Sequence, residues 1–142
     1  MSRLTPTSCN VIDFERPRLS GSRILIVEDE MVVALCLIDI VAALGASWVA
    51  ASRVAKAMAL VATGPFDAAI LDMNLAGESG DAVADALSAR EIPFIITTGY
   101  GTEGMAEKYR TLPRLSKPYM PEQVEAALLS MLETGKALAR SA

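Results

Sequence analysis

Two short apolar runs of this sequence end in acidic residues, and a third ends in a lysine. Glu28 and Asp29 follow the first run, Asp72 follows the second, and Lys117 follows the third. If these runs are neighbouring strands of a parallel sheet, their carboxyl ends share one edge and the four side chains meet there. Three carboxylates and one ammonium group at one edge suit a divalent cation and a phosphoryl group.

Asp72 is the candidate nucleophile, because an aspartate carboxylate can attack phosphorus and form an aspartyl phosphate. Two carboxylates about 4 Å apart repel by roughly 4 kcal/mol at an effective dielectric near 20, so a cation such as Mg²⁺ would offset their repulsion. Lys117 would contact the phosphoryl oxygens, and Thr97 or Thr98, at the end of a fourth strand, would add a hydroxyl. The alternative is that these four groups are ordinary solvated charges at strand ends without a common site. Their matching positions at the ends of four apolar runs weigh against this alternative.

The hydrophobic pattern predicts five strands that alternate with five helices. We expect strands at 23–28, 47–52, 67–72, 92–97 and 112–116, and helices at 30–44, 53–63, 80–89, 102–109 and 121–139. Such alternation is typical of an α/β fold with a doubly wound five-stranded parallel sheet. Gly45 is expected to end the first helix, and residues 73–80 are expected to form a loop.

One domain is predicted over 23–140, preceded by a flexible N-terminal arm at 1–22 that is rich in Ser, Thr, Pro and Arg. The 13 basic and 17 acidic residues give a net charge of −4 without a basic patch, which argues against direct nucleic-acid binding.

No leader-like apolar segment or uncharged 18-residue stretch occurs, so we expect a cytoplasmic protein without membrane insertion. Two cysteines do not indicate a disulfide framework, and Cys36 is expected to be a buried core thiol.

The sequence contains no histidine, which excludes serine–histidine and cysteine–histidine catalysis and histidine-based zinc sites. It also excludes a phosphohistidine within this chain. Any phosphoryl group must therefore come from another molecule.

Taken together, these motifs resemble the bacterial response-regulator receiver domain over about 23–140. The acid pair, the phosphoacceptor loop with Gly80 eight residues after Asp72, and Lys117-Pro118 each match a receiver motif. The resemblance implies the flavodoxin-like receiver fold, with Asp72 phosphorylated and Lys117 in contact with the phosphoryl group.

The resemblance also implies an Mg²⁺ site and a switch. Asp29 and Asp72 would bind the metal directly, Glu28 would bind it through water, and Asn74 would offer its backbone carbonyl. Thr98 would be the switch hydroxyl.

Two departures from the receiver pattern affect this switch and the loop after Asp72. Receivers normally place Tyr or Phe three residues before the lysine, where this chain has Arg114. Residues 93–100 instead resemble the PFxFATGY (FAT GUY) motif of an atypical, mainly alphaproteobacterial subgroup, which nominates Tyr100 as the mobile aromatic. Leu75-Ala76 replaces the Met-Pro of many receivers, so we expect a different loop shape there.

The function implied is that of a single-domain response regulator that accepts a phosphoryl group from a sensor histidine kinase. Output would pass by contact with a downstream signalling protein, a phosphotransfer protein or a second copy of the chain. We expect the contact face to comprise the predicted fourth helix, fifth strand and last helix (α4-β5-α5 in receiver nomenclature), although the apolar stripe of the last helix is expected to be mainly core.

Three alternatives remain at this point. A phosphorylation-independent pseudo-receiver is kept open by Arg114. A haloacid-dehalogenase-like phosphatase would need a second aspartate where this chain has Asn74, and a nucleotide-binding flavodoxin-like protein would need a glycine-rich phosphate loop that is absent. The chain is therefore expected to be a phosphoacceptor rather than a turnover enzyme.

Overall fold

The computed structural model describes residues 19–98, 114–117 and 119–141, with the side chains of the last helix described up to 133. In chain order the elements are β1 (Arg23–Val27), α1 (Met31–Ala43), β2 (Ser47–Ala51), α2 (Val54–Thr63), β3 (Ala68–Asp72), β4 (Asn74–Leu75), β5 (Glu78–Ser79), α3 (Asp81–Ala89), β6 (Phe94–Thr98), β7 (Arg114–Ser116) and α4 (Pro121–Ser141). Five strands form a parallel sheet in the order β2-β1-β3-β6-β7, and β4 pairs with β5 in a separate antiparallel hairpin.

The three central strands, β1, β3 and β6, are buried almost throughout, and their successive side chains point to opposite faces of the sheet. Leu25, Val27 and Leu71 lie in one core cluster with side chains of α2 and α3. Ile26 and Ile70 lie in a second cluster with side chains of α1 and α4. Helices on both faces of a parallel sheet confirm the predicted doubly wound α/β class.

The stripe of α4 that was expected to be core is largely buried. Val124, Leu128 and Leu132 belong to the second core cluster, which also contains Leu37 and Val41 of α1. This spacing of four residues places their side chains on one face of the helix.

Gly45 ends α1 as predicted, in the left-handed conformation with φ +89°. Its N–H donates to the carbonyl of Ala42 (3.0 Å), and the N–H of Ala46 donates to the carbonyl of Val41 (3.3 Å). These two bonds form a Schellman motif, and glycine adopts the required φ without the steric cost that other residues meet.

Three features differ from the sequence-based expectations. Residues 73–80 contain the β4–β5 hairpin rather than a loop alone. Cys36 is exposed, so its prediction as a buried core thiol is wrong. Leu19, which we placed in the arm, is 2% exposed and its N–H donates to the carbonyl of Leu44 (2.7 Å).

Several predictions concern residues outside the described part of the chain. They are the arm up to residue 18, the helix at 102–109 and the conformation at Pro118. Four helices are described here, together with the five strands of the main sheet. None of the described helices combines the length and the apolar character that a membrane span requires.

Candidate functional site

The register of the parallel sheet brings the predicted site residues to one edge. Val27 pairs with Leu71, so Glu28 and Asp72, the next residues of their chains, lie at the same level. Asp72 pairs in turn with Thr97 of β6. The carboxyl ends of parallel strands form the usual ligand-binding edge of such a sheet.

Lys117 reaches this edge from the end of β7 and contacts both buried acids. Its Nζ lies 3.1 Å from Asp72 Oδ2 and 3.1 Å from Glu28 Oε1. It also lies 3.5 Å from Oε1 of Glu30, whose side chain is 65% exposed. The backbone N–H of Lys117 donates to the carbonyl of Thr98 (2.9 Å), which fixes the lysine to the neighbouring strand.

Glu28 and Asp72 are both 3% exposed, and backbone amides complement the lysine in satisfying them. Asp72 Oδ1 accepts the N–H of Asn74 (3.0 Å), and Glu28 Oε2 accepts the N–H of Glu30 (3.1 Å). The two Asp72 oxygens therefore have different partners, an ammonium group and a backbone amide. This fixes the plane of the carboxylate.

Asp29 occupies the more exposed part of the site and contacts the hairpin. Its Oδ2 accepts the N–H of Ala76 at 2.9 Å. Ala76 and Gly77 both have positive φ, +53° and +89°, as a two-residue type I′ hairpin turn requires. The N–H of Gly77 donates to Asn74 Oδ1 (3.2 Å), so the asparagine side chain closes the same turn.

Gly80 allows the chain after Asp72 to fold back against its own strand. Its N–H donates to the carbonyl of Met73 (2.9 Å). A Cβ atom at this position would lie 2.9 Å from the Asp72 carbonyl oxygen and 3.1 Å from the Met73 Cα, and both are backbone atoms that cannot yield easily. Close packing thus explains the glycine eight residues after Asp72.

The pKa values of Glu28 and Lys117 are both raised, which favours the neutral form of the glutamate and the charged form of the lysine. Removal from water raises the pKa of Glu28 to about 7, and the neighbouring Asp72 charge adds to the rise. Burial alone would lower the pKa of Lys117, but hydrogen bonds to Glu28 and Asp72 outweigh it and raise that pKa. Lys117 therefore stays charged at neutral pH, whereas Glu28 is close to its midpoint.

The donor set fits a hard divalent cation. Glu28, Asp29 and Asp72 each offer a carboxylate oxygen, and these three oxygens lie within 4.8 Å of one another. Glu28 Oε1 is buried and accepts no hydrogen bond, although Lys117 is within ion-pair distance. An oxygen-rich set of this kind suits Mg²⁺ and its retained waters.

The two threonines considered for the site lie side by side at the end of β6. Thr97 is opposite Asp72, and its Oγ1 is buried without a hydrogen-bond partner. Thr98 is 7% exposed and pairs with Ser116, the residue before Lys117. Tyr100 lies outside the described residues.

The sequence did not indicate two contributors to the site. Glu30 pairs with Lys117 through an exposed carboxylate, and the Ala76 backbone bonds Asp29. Asn-Gly or Asp-Gly would have signalled a type I′ turn, whereas Ala76-Gly77 carries only half of that signal.

Comparison with known proteins identifies a family and several solved structures that this chain resembles. The sequence profile of the response regulator receiver domain matches residues 24–129. No curated protein matches this sequence. The solution structure of SdrG from Sphingomonas melonis Fr1 is 42% identical, with a TM-score of 0.70 over 78% of this chain and 96% of that one.

Further structures support the same relationship. A BeF3-activated conformation of SdrG is 41% identical with a TM-score of 0.65, covering 80% of this chain and 98% of that one. The response regulator PhyR from Brucella abortus is 30% identical with a TM-score of 0.76, over 91% of this chain but only 55% of the longer PhyR chain. The receiver domain of the histidine kinase PA1611 from Pseudomonas aeruginosa, which holds a magnesium ion in its active-site cleft, shares the fold at 21% identity and TM-score 0.72, covering 80% of this chain and 99% of that one.

Proposed function

This chain belongs to the response regulator receiver family, and we propose that Asp72 is its phosphoacceptor. Membership makes the chain a phosphoacceptor signalling module rather than a turnover enzyme. The observation that carries the residue assignment is the contact of Lys117 Nζ with Asp72 Oδ2 at 3.1 Å, at the buried end of a central strand. This contact supports the proposal, because an aspartyl phosphate at this position would have a positive charge beside its phosphoryl oxygens.

Phosphoryl transfer at this site would use Asp72 as the nucleophile and Lys117 as the fixed positive charge beside it. An Asp72 oxygen attacks phosphorus, the O–P bond forms, and the bond from phosphorus to the donor breaks; with phosphohistidine, that is the P–N bond and imidazole leaves. Lys117 then contacts a phosphoryl oxygen, and the Asn74 N–H keeps the other carboxylate oxygen in place. Catalysis of this kind is chiefly positioning and charge stabilisation.

We further propose that Mg²⁺ is held by Asp29 and Asp72, with Glu28 acting through water and Asn74 offering its carbonyl. When bound, the ion neutralises charge that develops on the phosphoryl oxygens. The three carboxylates, each with an oxygen within 4.8 Å of the other two, support this assignment.

The phosphodonor is proposed to be a sensor histidine kinase, since this chain has no histidine of its own. Exposed apolar side chains adjoin the site in sequence and offer a contact surface: Met31 and Val32, each 75% exposed, Leu35 at 53% and Met120 at 61%. Output to a downstream signalling protein, a phosphotransfer protein or a second copy stays a prediction, as does the Thr98–Tyr100 switch of the PFxFATGY subgroup.

A phosphorylation-independent pseudo-receiver is the second candidate, and one observation favours it. Arg114 is exposed on β7, so the usual aromatic side chain is missing at that position. An aromatic residue at this position would act in signal output, whereas Asp72, Lys117 and the acid pair, which the proposed phosphoacceptor chemistry needs, are all present.

The experiment is an amide NMR titration with Mg²⁺ and beryllofluoride, an aspartyl-phosphate mimic. Wild-type protein and Asp72→Asn are compared, with Mg²⁺ alone as a control in each. We expect beryllofluoride-dependent shifts around 72, 98 and 117 in the wild type and none in the variant. A folded wild type that binds Mg²⁺ but gives no beryllofluoride response would favour the pseudo-receiver.

A further inference from the structure

The turn of the β4–β5 hairpin holds an alanine in an unfavourable conformation. Ala76 has φ +53°, a region where the Cβ atom of an L-residue crowds its own backbone. Asparagine or aspartate would compensate with a local side-chain hydrogen bond, and alanine has none to offer. A residue in this conformation persists only where surrounding contacts fix it, so the contacts of Ala76 indicate which function the strained turn has.

The contact that fixes Ala76 is a charge-assisted hydrogen bond to Asp29. The Ala76 N–H lies 2.9 Å from Asp29 Oδ2, and the Asn74 N–H lies 3.0 Å from Asp72 Oδ1. Two amides of one short hairpin thus bind two carboxylates, one at the end of β3 and one in the connection between β1 and α1. Hydrogen bonds of this type are shorter and stronger than neutral ones.

Asp29 needs this support more than the other two acids of the site. Glu28 and Asp72 are 3% exposed and are both paired with Lys117, whereas Asp29 is only partly buried. A carboxylate has about four acceptor positions, so one hydrogen bond to Oδ2 leaves Oδ1 available to a metal ion. Metal-binding carboxylates are commonly oriented by such outer hydrogen bonds.

We infer that the backbone amide of Ala76 is a positioning group that orients the Asp29 carboxylate for a divalent cation. The inference rests on the proposed Mg²⁺ site. Proline, which many receivers carry at this position, has no N–H and cannot adopt a positive φ. The alanine therefore gives this chain a direct link between its loop and its metal ligand.

The test replaces Ala76 by lactic acid in the full chain, through nonsense suppression, so that an ester oxygen replaces the N–H and the side chain is kept. Mg²⁺ affinity is measured by NMR titration alongside the metal-free unfolding free energy. We expect about a tenfold loss of affinity, in the range seen when outer-sphere partners of metal ligands are removed. The matched control is an ester at Gly77, which removes the N–H bonded to Asn74 Oδ1 but leaves the bond to Asp29.

The outcomes separate the inference from the proposed function. Equal losses at 76 and 77 would show a general effect of the turn and overturn the positioning role, as would unchanged or tighter Mg²⁺ binding in the Ala76 ester. A wild type without saturable Mg²⁺ binding would instead contradict the proposed metal site itself.

A metal-free measurement tests the bond directly. We expect the Ala76 amide to exchange with solvent deuterium at least about tenfold more slowly in wild type than in Asp29→Ala, because the variant lacks the acceptor. The Gly77 amide, bonded to Asn74, serves as the internal reference. Equal exchange rates at Ala76 in the two proteins would contradict the inference whatever the Mg²⁺ affinities are.

Discussion

Glu28 and Asp72 are almost completely buried and share the ammonium group of Lys117, whereas Asp29, at the same edge of the sheet, is partly exposed and bonded by a backbone amide. The first pair is positioned by strands of the central sheet. The third acid is positioned by a two-residue turn that follows β3. One site is therefore built from a buried part that the core fixes and an exposed part that the hairpin fixes.

The difference shows how charge is tolerated in each part. Buried carboxylates lose hydration and repel each other at low dielectric, so a fixed positive charge must offset them. An exposed carboxylate is screened by water and needs only orientation. Variants should consequently affect stability most in the buried part and ligand geometry most in the exposed part.

The largest effect is expected for Lys117→Met, which leaves Glu28 and Asp72 buried without their counter-charge. We expect a loss of about 3 kcal/mol in the unfolding free energy of the metal-free protein, typical of a broken buried ion pair. Urea unfolding with and without Mg²⁺ measures it, and the ion should recover part of the loss. A change under about 0.5 kcal/mol would show that the buried acids do not depend on the lysine.

The next effect concerns Glu28, whose pKa of about 7 lies above the ordinary value of 4.5. The folded protein holds this proton more tightly than the unfolded chain, so the stabilisation is complete at low pH and is lost as the pH rises from about 4.5 through about 7. Glu28→Gln mimics the protonated form. We expect it to match the metal-free wild type near pH 4 and to exceed its stability by roughly 3 kcal/mol at pH 8.

Urea unfolding of both proteins across that pH range measures the difference. A variant less stable than wild type at high pH would mean that the ionised Glu28–Lys117 pair outweighs desolvation. Mg²⁺ must be removed by a chelator, because the ion would favour the ionised wild-type carboxylate.

The three acids and the lysine of the site could be predicted from the sequence, whereas the hairpin that orients Asp29 could not. Parallel register aligns strand ends, so Glu28 and Asp72 were expected to meet once two apolar runs were identified as strands. The hairpin depends on a tertiary bond between Ala76 and Asp29, which are 47 residues apart, and no local pattern encodes that bond.

Cys36 illustrates a second limit of the sequence pattern. Helix α1 is apolar along almost its whole length, so periodicity does not distinguish its buried face from its exposed one. Leu37 and Val41 are buried, whereas Leu35 and Cys36 are exposed. Only the packing of α1 against the sheet decides between them.

A smaller effect is expected for Ala76→Gly in the exposed part. Glycine relieves the positive φ but has more unfolded-state freedom, so we expect a gain of about 0.5 kcal/mol in unfolding free energy. Glu91→Gly is the matched control, because Glu91 also has positive φ (+60°) and lies beyond α3. Both gains are measured by urea unfolding, and a clear loss at 76 would argue against strain in the turn.

The smallest effect is expected for Glu30→Gln. This carboxylate is 65% exposed and lies 3.5 Å from the same Lys117 Nζ that the buried acids contact. Surface pairs of this kind contribute about 0.5 kcal/mol or less, and salt screens them. Urea unfolding at low and high salt measures the change in unfolding free energy. A loss of unfolding free energy close to that of Lys117→Met would contradict the distinction between the buried and the exposed part of the site.

The most direct test of the central claim is the intact mass of the protein after incubation with acetyl phosphate and Mg²⁺. We expect wild type to gain the mass of one phosphoryl group, lost again after mild alkaline treatment as an acyl phosphate requires. Asp72→Asn should remain unmodified while keeping a folded spectrum. Equal phosphorylation of the variant, or a folded, Mg²⁺-binding wild type that is never modified, would contradict the assignment of Asp72 as the phosphoacceptor.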